Sequence, residues 1–465
     1  MLRLVFFLAV SCLLAWAAVW VVNHPGTVVV QWLDRELILS VGTVIAGLLA
    51  FAAAAILLFE VVRVLVGLPS SWRISRGRRT QVRGYEELTR GLMAVAAGDL
   101  NAARNYHRQA ERHLPDNGSL LLLQAQTAQL EGKEEIAHLK FRQMLERRDA
   151  EFVGLRGLLA QAMKTGDFGE ALTLARRAYR RSPTTPWVLT TLFELLARDK
   201  KWDEALPLVD EMQAQGVLDA TQAKHKKGVL YHMLASDLRD QDRAADALTQ
   251  ARKSAKADPG FAPGVAQAGE LALQAGRRRL ALQILEEAWR TAPHPDIARV
   301  YAQVDPAESA GQRQKRIDTR LAPLNRTHPE TLVLQAEAAM QAGDWSVARS
   351  RLEAALDAQP SARVYRLFAE VERQSGGDQA KAREWLARAT DAEPDRAWVC
   401  DDTGEVLAAW QPLAPSGRFD AVNWSTPPKV ATMLGAEQTT YILPPDEAMA
   451  GATRARPAPA GAAAG

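Results

Sequence analysis

Gly98-Asp99-Leu100-Asn101-Ala102-Ala103 and Gly166-Asp167-Phe168-Gly169-Glu170-Ala171 are one phrase written twice, and Gly132-Lys133 stands midway between them. The first copy runs on to Ala110 and Pro115, the last to Ala178 and Pro183, and the middle one to Ala137, Phe141 and Met144. The period is 34 residues, and it continues. Lys200-Lys201-Trp202 brings Ala205 and Met212; after an eight-residue slip around Ala214–Thr221, Asp242 brings Ala247, Ala251 and Pro259. Gly276 leads to Ala281, Ala288 and Pro293, and Gly343-Asp344-Trp345 to Ala348, Ala355 and Pro360. Gly377-Asp378 leads to Ala382, Ala389 and Pro394. A worn copy fills the gap between Pro293 and Gly343, ending near Pro329.

Each recurring residue has a physical task. Glycine turns the chain between helices where a positive φ is needed. Alanine at the crossing lets two helix backbones approach closely. Proline ends the second helix because it cannot donate the next backbone hydrogen bond. The spacing predicts a row of helix–turn–helix units and resembles the tetratricopeptide repeat. Seven or eight readable copies and one degenerate copy imply an all-α solenoid over residues 85–395, with a concave face suited to other polypeptides.

A membrane segment precedes the repeats. Leu4–Val22 is uncharged and almost wholly apolar, and Val41–Phe59 is a second such run, extending to Val66 with only Glu60 and Arg63 inside it. Both are long enough to cross a bilayer. Residues 1–66 are therefore expected to form a transmembrane hairpin with spans at about 4–22 and 41–66. The connecting segment 23–40 holds Thr27–Trp32 and Glu36–Leu39, which read as a short extracytoplasmic β-hairpin turning at Asp34-Arg35. Glu60 and Arg63, three apart on a helix, can pair. Ala15-Trp16-Ala17 imitates a signal-peptidase site, but the apolar run continues through Val22, which favours a retained anchor.

A basic stem at 67–84 sets the orientation. Arg73, Arg76, Arg78, Arg79 and Arg83 crowd it, with Trp72 as an interfacial anchor, whereas the loop between the spans has Arg35 as its only cation. Positive charge stays inside, so both termini and all repeats are expected to be cytoplasmic, with the hairpin 23–40 on the other side of the membrane. The stem can also touch anionic headgroups. Net charge is only +3, which gives no general drive toward nucleic acid. Cys12 and Cys400 make no sensible bridge, in keeping with a reducing compartment.

Chemistry is hard to find. The chain has no phosphate-binding glycine loop, dinucleotide fingerprint, HExxH or nucleophile elbow. Its histidines are scattered, and no CxxCH is present for covalent haem attachment. No catalytic, metal or cofactor residue is assigned, and the chain is not expected to be an enzyme. Trp398-Val399-Cys400-Asp401-Asp402-Thr403-Gly404, with Trp410-Gln411-Pro412 and Trp424, looks like a worn rubredoxin-type or zinc-ribbon knuckle. Thr403 stands where a second cysteine would, and one thiolate cannot hold a structural zinc. Residues 396–428 are expected to be a small aromatic cap over the last repeat. Residues 429–465, rich in proline and alanine, are expected to be disordered.

Counting from the glycines places Arg156, Lys164, Thr190, Glu194, Arg198, His232, Arg239 and Glu270 on the groove face of the first helices. Their mixed charge suits a folded protein surface better than a simple acidic tail. The lysine/asparagine clamp for terminal carboxylates is missing, since Leu88 and Leu92 occupy those positions in the first repeat.

The whole layout resembles the HemY family of proteobacterial inner-membrane proteins, over roughly residues 1–425. The likeness is carried by Pro25-Gly26-Thr27-Val28-Val29-Val30, Gly84-Tyr85-Glu86-Glu87-Leu88-Thr89-Arg90-Gly91, Gly98-Asp99 and the C-terminal tryptophans. It implies a non-catalytic scaffold holding enzymes of late haem (porphyrin) biosynthesis at the inner membrane; a flavin-dependent oxidase sharing that label has a dinucleotide fingerprint this chain lacks. Two alternatives come with it. One is a haem or porphyrin carrier using a histidine or Cys400 as axial ligand. The other is an envelope-assembly adaptor like the lipopolysaccharide-assembly repeat proteins, whose cysteine-paired rubredoxin end is absent here.

Overall fold

The computed structural model describes residues 26–428 apart from 33–34, 115–116 and 377–378, with isolated positions among 12–23; segments 28–39 and 64–79 are described by their backbone. The first apolar run falls mostly outside the described residues, as do Gly377-Asp378 and the tail 429–465. The chain divides into two compact units, Met1–Ala137 and His138–Gly465.

In the first unit, β1 (Thr27–Trp32) pairs antiparallel with β2 (Arg35–Ser40), from Thr27↔Ser40 to Trp32↔Arg35. The expected turn at Asp34-Arg35 is thus shifted: Arg35 belongs to the strand, and the connection is 33–34. Ser40 then caps α1 (Val41–Ala96), its hydroxyl accepting the Thr43 N–H at 3.3 Å. Helix α1 is 56 residues long, or about 84 Å at 1.5 Å per residue. Its first part, Val41–Arg63, has a mean hydropathy of 2.5 and no side chain buried in the protein, and is long and apolar enough to cross a membrane. Glu60 and Arg63 pair at 3.3 Å as their spacing implies. The expected borders at 66 and 84 are not breaks. Span, basic stem and the first helix of the first repeat are one uninterrupted helix.

The end of α1 packs against α2 (Leu100–His113) and α3 (Gly118–Leu130), around Leu88, Ala110, Leu120 and Leu123. Asp99 caps α2 by accepting the Ala102 N–H at 2.9 Å. Helix α4 (Glu134–Met144) follows.

The second unit continues the alternation. First helices are α5 (Glu151–Thr165), α7 (Pro186–Arg198), α9 (Ala220–Asp240), α11 (Ala262–Gln274), α13 (Pro295–Ala302), α15 (Pro329–Ala342) and α17 (Ala362–Gln374). Second helices are α6 (Phe168–Arg181), α8 (Trp202–Ala214), α10 (Ala244–Ala257), α12 (Arg278–Thr291), α14 (Ala310–Arg316), α16 (Trp345–Ala358) and α18 (Gln379–Asp391). The worn copy is real: α13 is only eight residues, and α14 runs on through a π turn (Ile317–Leu321) and a 3-10 turn (Ala322–Leu324). The eight-residue slip is accommodated without a loop. Helix α9 has 21 residues against 13 in α7, so the extra residues are two more helical turns, opened by an Asp219/Gln222 capping box.

Register alanines sit where the helices cross. Ala171, Ala205, Ala247, Ala281 and Ala348 are completely buried. Large side chains fill the space between layers, among them Trp202 and Trp289, whose indole N–H donates to Thr331 Oγ1 at 3.0 Å. At the turn position Gly166 (φ 77) and Gly343 (φ 77) close their helices in the left-handed region. Where glycine is replaced, the conformation persists: Lys200 has φ 57 and Asp242 φ 59. A side chain in that region is disfavoured by roughly 1 kcal/mol or more. Lys200→Gly and Asp242→Gly should therefore each stabilise the chain by about 1 kcal/mol, read as a higher denaturant midpoint, whereas Gly276→Ala (φ 70) should lower it.

After α18 the chain forms a small antiparallel sheet in the order β4-β3-β5, from β3 (Ala397–Cys400), β4 (Val406–Leu407) and β5 (Val422–Ser425). Its own core gathers Trp398, Cys400, Ala414, Ala421 and Val422. The turn after β3 is closed by backbone hydrogen bonds: Cys400 N–H donates to Glu405 O at 2.9 Å and Gly404 N–H to Cys400 O at 2.8 Å.

Candidate partner-binding groove

The C-terminal sheet module does not cap the last repeat. Its aromatic and acidic side chains lie against α7, α8, α9, α11 and the start of α13, far back along the chain. Phe419 meets Phe193 of α7 edge-on at 5.4 Å between ring centroids, and Trp202 of α8 at 6.2 Å. Trp410 meets Phe261 at 4.9 Å and His232 of α9 at 5.4 Å. Trp398 and Trp424 close on His294, at the start of α13, at 5.3 and 4.5 Å. The expectation of an end cap is corrected: the module occupies the groove side of the central repeats. Tryptophan and phenylalanine supply large contact areas with few rotatable bonds, so they anchor well.

The polar anchor is His225. Its Nδ1 lies 2.6 Å from Asp258 Oδ2 and its Nε2 3.2 Å from Asp420 Oδ1, so the protonated ring donates to both carboxylates. Burial opposes that charge, but the hydrogen bonds to Asp258 and Asp420 outweigh it and raise the ring to about 9. Lys226 adds a second cation, 3.8 Å from Asp420 Oδ2 and 5.4 Å from the Phe419 ring centroid. Both His225 and Lys226 stand on the two extra turns of α9. Insertion and module meet.

Two other histidines are neutral. Burial lowers His232 to about 4, helped by the nearby Arg239 charge, and burial alone lowers His294 to about 4. His294 Nδ1 accepts the Asp296 N–H at 3.1 Å, capping α13.

The sequence-derived groove residues fall into two sets. His232, Arg239 and Glu270 come together around a recess of about 450 Å³, whose walls include Arg299, Trp398 and Trp410. Glu270 pairs with Arg299 at 3.0 Å, and Arg239 lies 3.5 Å from Asp240. A second recess of about 710 Å³ shares Asp296 and Arg299 and extends to Arg313, Glu337 and Arg363. The remaining five lie elsewhere. Arg156 sits 5.6 Å from the Trp187 ring centroid, and Lys164 is exposed near the end of α5. Thr190 donates to its own helix at Pro186 O, and Glu194 is half-buried on α7. Arg198 stacks on Phe168 at 3.6 Å and stands beside Gly417, where a Cβ would be 2.6 Å from its Nη1. In the stem, Trp72, Arg73, Arg76, Arg78 and Arg79 lie on α1 by backbone position, and Arg83 is exposed. Sequence counting missed Phe193, His225, Lys226, Phe261 and His294.

Cys400 is fully buried and Cys12 exposed, and both are free. Among the described residues no three His, Cys, Asp or Glu side chains gather as a metal site.

Against this geometry the relatives can be placed. Residues 26–132, nearly the whole described part of the first unit, match the family described as HemY protein N-terminus. This stretch of the chain is thus similar to the HemY N-terminal region, and the match spans the β-hairpin, α1, α2 and α3. Over 442 residues the chain is 25% identical to a probable magnetosome protein, Mms48, of Magnetospirillum gryphiswaldense, covering 95% of this chain and 97% of that one. Solved repeat structures match parts of the chain at low similarity. A tetratricopeptide repeat protein of Parabacteroides merdae is 15% identical with a TM-score of 0.25, covering 54% of this chain and 98% of its own. The TPR2AB domain of yeast Sti1, in complex with pHSP90, is 13% identical with a TM-score of 0.26, covering 66% and 98%.

The histidines fix a pH window for the docked module. His225 is raised, so its stabilisation is complete below pH 6.5 and is lost as pH rises from there through about 9. His232 and His294 are lowered, so their contribution is present above pH 6.5 and is lost as pH falls toward about 4. Protection of amides 396–425 from hydrogen exchange, corrected for intrinsic rates, should peak near neutrality and fall on both sides. His225→Ala should lower the plateau and flatten the alkaline limb while leaving the acid limb in place.

Proposed function

We propose that this protein is a membrane-anchored cytoplasmic scaffold whose repeat groove holds partner proteins at the inner membrane, among them enzymes of late haem biosynthesis. One observation carries the scaffold part: the groove side of α7–α13 already accommodates folded polypeptide, the chain's own C-terminal module, through aromatic anchors and one charged latch. A surface that seats one protein module through such anchors has the features by which interfaces recognise another. Helix α1 supports the anchoring, since its apolar first part runs without a break into the first repeat. The haem pathway enters from the HemY resemblance, and the role needs neither cofactor nor catalysis.

Orientation with two spans and cytoplasmic repeats rests on the stem arginines, which the positive-inside rule keeps on the cytoplasmic face. The recess at Arg239, Glu270 and Arg299, with charges of both signs, suits a folded partner surface.

Gentle solubilisation of the tagged full chain from its native membrane, followed by mass spectrometry, tests the reading. Enzymes of late haem biosynthesis should be enriched with the full chain and lost when α5–α18 are deleted. Arg239→Glu with Arg299→Glu should reduce their recovery several-fold without changing the far-ultraviolet circular dichroism. Recovery of envelope-synthesis components in their place would replace the pathway and keep the scaffold.

A further inference from the structure

Phe419 and Asp420 are adjacent in sequence and both leave their own module. The Phe419 ring is absent from the small core of Trp398, Cys400, Ala414, Ala421 and Val422, and packs instead between Phe193 and Trp202. The Asp420 carboxylate turns to His225 and Lys226. Asp420 holds φ 60, a left-handed conformation that costs a non-glycine residue free energy, and its N–H is satisfied by Pro412 O at 2.8 Å. The module thus bends its backbone to present one aromatic side chain and one carboxylate outward. The receiving side is equally specific: an aromatic slot from α7 and α8, and two cations from the extra turns of α9.

We propose that this slot is a recognition site for a protein segment bearing an aromatic side chain followed directly by a carboxylate, and that the C-terminal module is its tethered competitor. The inference rests on the groove reading above and says what the groove reads. The module has a sheet and a core of its own, and the chain reaches it from α18 through residues 392–396, so it can leave the slot without dismantling a repeat. A tether holds its ligand at roughly millimolar effective concentration. A free segment making the same two contacts cannot win against that. It wins by adding contacts, and the repeat-side residues that the module's Trp398 and Trp410 now roof, among them His232, Arg239, Glu270 and Arg299, offer them once the module leaves. Binding then requires a partner that carries the aromatic–acidic pair and also covers those residues, a two-part requirement that rejects isolated matches to either.

The test uses the full chain in detergent and a fluorescein-labelled peptide of residues 415–425, read by anisotropy. The Phe419→Ala/Asp420→Asn chain, its slot vacated, should bind the peptide at least ten-fold more tightly than the unaltered chain. Peptide carrying the same two substitutions should not bind. Adding His225→Ala to the vacated chain should remove binding of the unaltered peptide. Equal affinity for vacated and unaltered chains, no binding to either, or binding that persists after His225→Ala overturns the proposal and leaves the module as a permanent part of the array. Should the double variant fail to fold, His225→Ala alone decides: exchange at amides 396–425 must rise at least ten-fold while α15–α17 stay protected, and no rise overturns it. The scaffold reading is scored separately on proteins recovered with the unaltered chain, so loss of peptide exchange removes the competitor and leaves that reading standing.

Discussion

Two helices cannot share a narrow interface unless something small lies between their backbones. In this chain that is alanine, and the crossings at Ala171, Ala205, Ala247, Ala281 and Ala348 leave those side chains no contact with solvent. A larger side chain there would force the helices apart and propagate through every later pair, because each pair rests on its neighbour. With the crossings fixed, the first helices of the second unit stand side by side in a row. Only in such a row can Phe193, His225, Phe261 and His294, from four different helices or their starts, face one small module. The site depends on the alanines although none of them touches it.

Much of this was legible from residues alone. The period gave the helix pairs, the position of the worn copy and the left-handed turns at the glycines; at Lys200 and Asp242 it gave the register, and the positive φ came from the structure. His232, Arg239 and Glu270, each counted separately onto the groove face, line one recess in the structure. The rest is non-local. His225 and Asp420 are 195 residues apart, and no periodicity links a repeat to a segment outside the array. The slip around Ala214–Thr221 was visible as an interruption, yet only the structure turns it into two added turns bearing His225 and Lys226. A border was expected after Val66, where the apolar run ends; the backbone stays helical through it.

The turn at Cys400 is held by packing. The strand pairing Cys400↔Val422, the buried thiol and the small tryptophan-walled core fix its shape. Packing against the repeats adds to this: three tryptophans of the module find their contacts on other elements or on one another. Removing the module from the groove would expose much of that aromatic surface, which makes a second binding surface a natural requirement of the released state.

Helix α1 carries a mechanical consequence. With Val41–Arg63 in a bilayer, about 20 residues of continuous helix separate the lipid from Gly84, where the first repeat begins, and at 1.5 Å each they form a mast about 30 Å tall. A mast, unlike a flexible cord, fixes height and heading together. Rotating the span by one residue would swing the first repeat by about 100° around the membrane normal, so adding or deleting residues in the stem changes which way the protein looks as well as how far it reaches.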